Sequence, residues 1–194
     1  MKENLDLKLW QSNKYICGVD EVGRGTLAGP VVAASVILPP FFYHAEIDDS
    51  KALTPAKRRE LFAMIIENAL AYSFGLINHH RIDQVNILQA TIAAMRKAIT
   101  GLGKKPDLVM TDAVRIPDLP YPQENIIKGD RRSISIAAAS ILAKVRRDKI
   151  MLNFHKIYPE YGFDQHKGYA TRKHREAISS YGPCLIHRKS FKLL

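Results

Sequence analysis

Cysteine is nearly absent from this chain: its 194 residues hold two, Cys17 and Cys184. That excludes a disulfide framework and makes a reducing compartment the expectation. Long apolar runs are missing too. The best two, "GPVVAASVILPPFFY" and "ISIAAASILA", are broken by proline or too short to cross a bilayer. The opening stretch "MKENLDLKLW" lacks the basic-then-apolar order of a secretory signal. A cytoplasmic protein without membrane association is therefore expected. With 46% hydrophobic residues, the chain can bury a core of ordinary size, and a single domain over 1–194 is expected.

Acidic residues are scarce in the last third. Residues 1–127 hold 14 Lys+Arg against 14 Asp+Glu, whereas residues 128–194 hold 15 against 5. The whole net charge of +10 thus comes from the C-terminal part. Positive charge segregated in this way suits a polyanion, because neutralised phosphates release condensed counterions. A merely solvated basic surface is the plainer reading of the same excess.

Several cofactor signatures are lacking. "GRGTLAG" spaces its glycines as G-x-G-x-x-x-G and leads into "GPVVAASVIL", which reads as a strand. A dinucleotide fingerprint needs G-x-G-x-x-G and a helix there. "GLGKK" has neither the spacing nor the hydroxyl of a phosphate-binding loop. The histidine runs "HHR" and "HKGYATRKH" offer no Cys or Glu at zinc-ligand spacing.

What is present is an alternation of strands and helices. "YICGVD", "GPVVAASVIL" and "AYSFGLI" read as strands, with "LPPFFYHAEIDDSKAL" as a loop. Thr54 and Pro55 open a helix with Leu61, Met64, Ile65 and Ala69 on one face. "NILQATIAAMRKAITGLG" is an amphipathic helix closed by Gly101 and Gly103. "PDLVMTD" and "QENIIKGD" read as strands ending on Asp112 and Asp130, and residues 133–158 as one long helix. Strands come first as a meander and then mix with helices. The expected fold is α/β, a mixed sheet flanked by helices, with a basic helical lobe over about 153–194.

Three strand-like runs end on acids: Asp20 with Glu21, Asp112, and Asp130. Ligands gather at strand ends in open α/β sheets. Four carboxylates brought together there would repel one another unless divalent cations neutralised them, and carboxylates with water and substrate phosphate are the usual Mg²⁺ ligands. Two such ions, about 3.5–4 Å apart, clamp the attacking and leaving oxygens of a phosphodiester. Neighbouring strand residues point to opposite faces, so Asp20 and Glu21 serve one site only if the strand breaks there, at Gly23 and Gly25. Each acid also has a plain structural use: Asp112 in a turn, Asp130 before the positive end of a helix. The glycines let the backbone approach a ligand closely, and Arg24 beside them could hold a phosphate.

The blocks "GVDEVGRG", "DSKAL", "NILQAT", "TDAV", "KGDRRSISIAAASILAKVRRD", "YGFDQHKGY" and "HRKSF" run in order through residues 15–191. In them the chain strongly resembles the bacterial type 2 ribonucleases H, the ribonuclease HII family. The resemblance implies a ribonuclease H-like fold and endonucleolytic cleavage of RNA paired with DNA, including a cut 5′ to a single ribonucleotide in duplex DNA. It implies that Asp20, Glu21, Asp112 and Asp130 hold Mn²⁺ or Mg²⁺, with Asp130 preferred over Asp148. It further implies that Gly23, Arg24 and Gly25 read the ribose 2′-hydroxyl and that Tyr169 stands at the RNA–DNA junction, packed on a sugar without that hydroxyl. Proline is frequent in the family where this chain has Thr26, and Asp-Gly where it has Asp112-Ala113.

Lys51 and Lys144 are candidate phosphate contacts, as are Arg146, Arg188 and Lys189. "AAAS" at 137–140 offers a small-residue face for close packing on the sheet, and Cys17 reads as core. A monomer is expected, and a sliding clamp stays open as a partner. Two other readings compete: a non-catalytic hybrid-binding protein on the same fold, and a nuclease for all-DNA substrates such as a resolvase. The first would need a lost acid; the glycine turn and "HKGY" argue against the second.

Overall fold

The structure, a computed structural model, describes residues 4–47 and 53–194. Its elements are α1 (Leu5–Leu9), β1 (Ile16–Val22), β2 (Val31–Ile37), α2 (Pro55–Asn68), β3 (Ala71–Ile77), α3 (His79–Thr100), β4 (Leu108–Asp112), β5 (Gln123–Ile126), α4 (Ile134–Ile157), α5 (Phe163–His166) and α6 (Arg172–Tyr181). The strands form one sheet in the order β3-β2-β1-β4-β5. The first three are an antiparallel meander, and β4 and β5 then add in parallel on the other edge of β1. A parallel neighbour needs a crossover, which α3 provides for β4.

β1 and β2 are nearly continuous apolar runs because both their faces are covered. On one face Ile16, Ala34, Val36 and Met110 pack with Leu61 and Ile65 of α2 and with Ile136, Ala137, Ala138, Ala139, Ile141 and Leu142 of α4. On the other, Cys17, Val19, Val31, Ala33 and Val109 pack with Ala90, Ala94, Met95 and Ala98 of α3. Two glycines set how closely helices approach. A Cβ on Gly18 would lie 2.1 Å from the Ser135 carbonyl carbon, and one on Gly75 would lie 1.8 Å from Ala94 O. The fully buried Ala137, Ala138 and Ala139 complete the close fit of α4 to the sheet.

Caps explain the helix limits. Thr54 caps α2 with Pro55 in its first turn, and Ser133 caps α4. α3 begins earlier than Asn86: Asn78 caps a first segment, and Asn86, with φ 69°, breaks the helix and caps the second through Gln89 N. A third apolar cluster of Leu27, Ala28, Met151, Tyr161, Phe163, Ile178 and Ile186 lies among the C-terminal elements and the turn after β1. No helix among the described residues is long and apolar enough to cross a membrane.

Candidate active site

β1 and β4 pair in parallel as far as Val19↔Thr111. Asp20 and Asp112 are each the next residue on neighbouring strands, which lie about 4.8 Å apart. Both therefore stand at the carboxyl edge of the sheet. The strand runs two residues past Asp20, where the sequence ends it: β1 continues to Val22, paired with Val32, and the chain turns at Gly23, the first of the two glycines expected to break it, where φ is 93°. Asp20 is bonded by Ser140 of α4, and its Oδ1 accepts the Glu21 amide at 2.8 Å. Glu21 takes Arg24 Nη1 on Oε1 at 3.1 Å. Different partners thus hold two adjacent acids in one neighbourhood.

Asp130 is not at a strand end. β5 stops at Ile126, Lys128 takes a left-handed φ of 57°, and Asp130 lies buried in the short 3-10 turn Gly129–Arg131 that leads into α4. The backbone ends that strand because the parallel partner β4 has itself ended at Asp112. The turn is tied to the other acids by Gly129 N, which donates to Asp112 Oδ1 at 2.9 Å.

Burial raises the Asp20 carboxyl well above the usual aspartate range, and the charges of Glu21 and Asp112 push the same way against the bond from Ser140. Glu21 is raised as well, by burial first, with Arg24 opposing it. Glu21 Oε2 is buried without a hydrogen-bond partner. Crowded, partly desolvated carboxylates of this kind are stabilised by an added cation, and their hard oxygen donors suit Mg²⁺ or Mn²⁺. Among the described residues, no three His, Cys, Asp or Glu side chains are gathered closely enough to enclose an ion. For these acids to enclose an ion together, their side chains would have to converge further.

Beside them a groove of about 340 Å³ is lined by Glu21, Val22, Arg58, Ser140, Ile141, Lys144 and Tyr169. Lys144 pairs with Asp148 at 2.6 Å, and its Nζ stands 5.9 Å from the Tyr169 ring. Tyr169 is 41% exposed, so it is available to a ligand. An isolated antiparallel bridge joins Tyr169 to Thr26, which places the ring beside the glycine turn. Gly25 is exposed with open space where a Cβ would stand, whereas a Cβ on Gly23 would lie 2.2 Å from Arg147 Nε. Lys51 and most of "DSKAL" lie outside the described residues.

The turn itself is held by groups that sequence reasoning did not single out, or assigned otherwise. Arg188, read as a phosphate contact, is fully buried. Its guanidinium donates to Gly23 O at 2.6 Å, Arg24 O at 2.8 Å and Gly29 O at 3.0 and 3.1 Å. Arg147 of α4 is equally buried. It donates to Pro30 O at 3.0 Å, Lys167 O at 2.8 Å, Thr26 Oγ1 at 2.9 Å and Ala28 O at 3.1 Å. The Thr26 hydroxyl in turn donates toward Gly23 O and Ala28 O, at 3.1 and 3.2 Å. Burial pushes these guanidinium groups down to about 10 for Arg147 and about 9 for Arg188. They spend their donors on backbone carbonyls and the Thr26 hydroxyl, not phosphates. Arg146 and Lys189 are exposed, as a phosphate contact requires.

Solved structures share this fold. The ribonuclease H2 of Pyrococcus horikoshii OT3 superposes with a TM-score of 0.78 at 24% identity, over 92% of this chain and 94% of that one. Bst-RNase HIII in complex with Mn²⁺ does so at 0.73 and 16%, over 97% and 70%. The architecture is therefore the ribonuclease H-like fold. At the level of sequence, the ribonuclease HII of Caldanaerobacter subterraneus subsp. tengcongensis is 51% identical over 185 residues, 95% of this chain and 77% of the relative. The family model for ribonuclease HII matches residues 17–194, and the chain belongs to that family. It is a ribonuclease H, a hydrolase whose family cleaves RNA within RNA/DNA hybrids.

Proposed function

We propose that this chain, beyond hydrolysing the RNA strand of hybrids, cuts on the 5′ side of single ribonucleotides embedded in duplex DNA. The observation that carries the proposal is the bridge between Thr26 and Tyr169. It puts the glycine turn that follows Asp20 and Glu21 next to an exposed aromatic ring. A 2′-hydroxyl on one sugar and its absence on the next can then be read side by side.

Asp20, Glu21, Asp112 and Asp130 are the residues that would hold two divalent cations. The Mn²⁺ present in the Bst-RNase HIII structure supports that choice of ion class. Cations held there would supply the Lewis-acid chemistry of an in-line phosphodiester hydrolysis giving a 3′-hydroxyl and a 5′-phosphate. The protein's own part is positional. Ser140 orients Asp20, Gly129 N orients Asp112, and Arg24 holds Glu21 until substrate and ions arrive. The backbone of Gly23, Arg24 and Gly25 faces the ribose, and Tyr169 packs on the following deoxyribose. Lys144, Lys51 and the basic C-terminal elements neutralise duplex phosphates, and the protein acts as a monomer.

The test is cleavage of a labelled DNA duplex carrying one ribonucleotide, beside an all-DNA duplex, a chelator control and Asp112→Asn. One metal-dependent cut 5′ to the ribonucleotide, lost in the variant, is expected. Tight binding without any cut, in either Mg²⁺ or Mn²⁺, would replace the proposal with a hybrid-binding role.

A further inference from the structure

Behind Tyr169 lie three histidines that phosphodiester hydrolysis does not use. His187 Nδ1 is 2.9 Å from Cys184 N, its Nε2 is 3.0 Å from His174 Nε2, and His174 Nδ1 is 2.8 Å from Tyr169 O. His166 stacks on His174 with ring centroids 4.3 Å apart. His174 and His187 are almost fully buried.

The hydrogen-bond partners dictate every tautomer. Cys184 N can only donate, so His187 Nδ1 accepts; its contact with Cys184 O is longer, at 3.3 Å. A neutral His187 then carries its proton on Nε2 and donates to His174 Nε2. His174 must carry its proton on Nδ1 and donate to Tyr169 O. His166 is fixed the same way: Gly168 N donates to its Nδ1 at 3.1 Å, so its Nε2 donates to Tyr161 O at 2.7 Å. One directional chain of hydrogen bonds thus runs Cys184 to His187 to His174 to Tyr169.

Tyr169 needs such a support. It follows Lys167 and Gly168, both left-handed at φ 51° and 86°, in a segment with no helix or strand ladder of its own. Its carbonyl is gripped from two directions, by His174 Nδ1 and by Thr171 N at 2.8 Å.

We propose that His187 and His174 are positioning residues that fix the Tyr169 carbonyl and thereby the stance of its ring at the RNA–DNA junction. This rests on the reading that Tyr169 meets that junction. Junction substrates should therefore feel the relay, and uniform hybrids, cut at many places, should feel it less.

The experiment compares cleavage of a single-ribonucleotide duplex with that of a uniform RNA/DNA hybrid. His187→Leu keeps bulk and removes the donor; it should lower the first activity about tenfold and the second less than about twofold. His187→Gln restores a donor near the Nε2 position and should recover most of the loss. Tyr169→Ala should shift the same ratio, and adding His187→Leu to it should shift the ratio no further. If Tyr169→Ala leaves the ratio unchanged, the junction reading fails. If Tyr169→Ala shifts the ratio but a folded His187→Leu does not, or if Gln and Leu behave alike, the relay is overturned. Should His187→Leu not fold, His174→Leu against His174→Asn poses the same question.

Discussion

Replacing Arg147 by methionine separates holding a turn from holding a fold. The substitution removes four donated hydrogen bonds, to Pro30 O, Lys167 O, Ala28 O and Thr26 Oγ1. Ala28 O keeps the Thr26 hydroxyl. Pro30 O and Lys167 O lose their guanidinium donor, at roughly 1–3 kcal/mol each for a buried acceptor. Against this stands the cost of burying the charge. Moving a guanidinium from 12.5 down to about 10 corresponds to about 3 kcal/mol, and methionine fills the space without it. The opposing effects largely offset each other, so stability should change by no more than about 3 kcal/mol, which is up to about 12 °C in Tm. Activity should suffer far more. Arg147 joins α4 to both the glycine turn and the Lys167 carbonyl, and a shift of about 1 Å between them is enough for a loss on the order of 100-fold in kcat/KM. Arg147→Lys keeps the charge but not the fork and should not rescue it. A melting curve and steady-state cleavage of the single-ribonucleotide duplex decide the matter. Activity within threefold of wild type for Arg147→Met, or full rescue by lysine, would refute the reasoning.

Two further outcomes follow from local strain and from buried imidazoles. Ala113 holds a left-handed φ of 57° beside Asp112, which costs an alanine roughly 1–2 kcal/mol. Ala113→Gly should raise Tm by about 1–3 °C once the larger unfolded-state entropy of glycine is subtracted, and a lower Tm would sink that account. His174 is pushed by burial from 6.5 to about 4, so the unfolded chain takes up a proton there that the folded chain refuses. The stability this group contributes is full above pH 6.5 and falls by about 3 kcal/mol as pH drops to 4. The raised Asp20 and Glu21 carboxyls act with the opposite sign. Urea melts of wild type and His174→Gln at pH 7 and 5 isolate the imidazole: the difference between the two proteins should shrink at pH 5, and a constant difference would contradict it.

Much of the frame was legible because each element carries its own local signal. Ala71–Ile77 is a strand over the same residues that "AYSFGLI" marks in the sequence, Thr54 and Pro55 start a helix, and Ser133 opens α4. The segment 79–85 escaped notice because it is short and polar and depends on Asn78 for its cap. Asp130 was misplaced because "QENIIKGD" looks extended throughout, while pairing ends where β4 ends. The nearness of Asp20, Glu21 and Asp112 was inferred from strand ends, and the β1–β4 register supplies the physical reason. The buried arginines were harder. Burial of Arg188 depends on carbonyls from residues 23–29, more than 150 positions away. Arg147 did leave a trace: it stands on the same helical stripe as the apolar Ala143 and Met151, all three buried, where a charged side chain is out of place unless something caps it.

One helix carries both ends of this arrangement. α4 bears Ser140, which touches Asp20, and Arg147, which grips the turn and the Lys167 carbonyl. The two are about 10 Å apart along a rod with a fixed rise of about 1.5 Å per residue. Inserting or deleting one residue between them would swing everything downstream by about 100° around the axis, turning Arg147 away from its acceptors. Residues 140–147 therefore form a gauge of set length, and the chain can absorb changes in length only elsewhere, in the loops that no such rod spans.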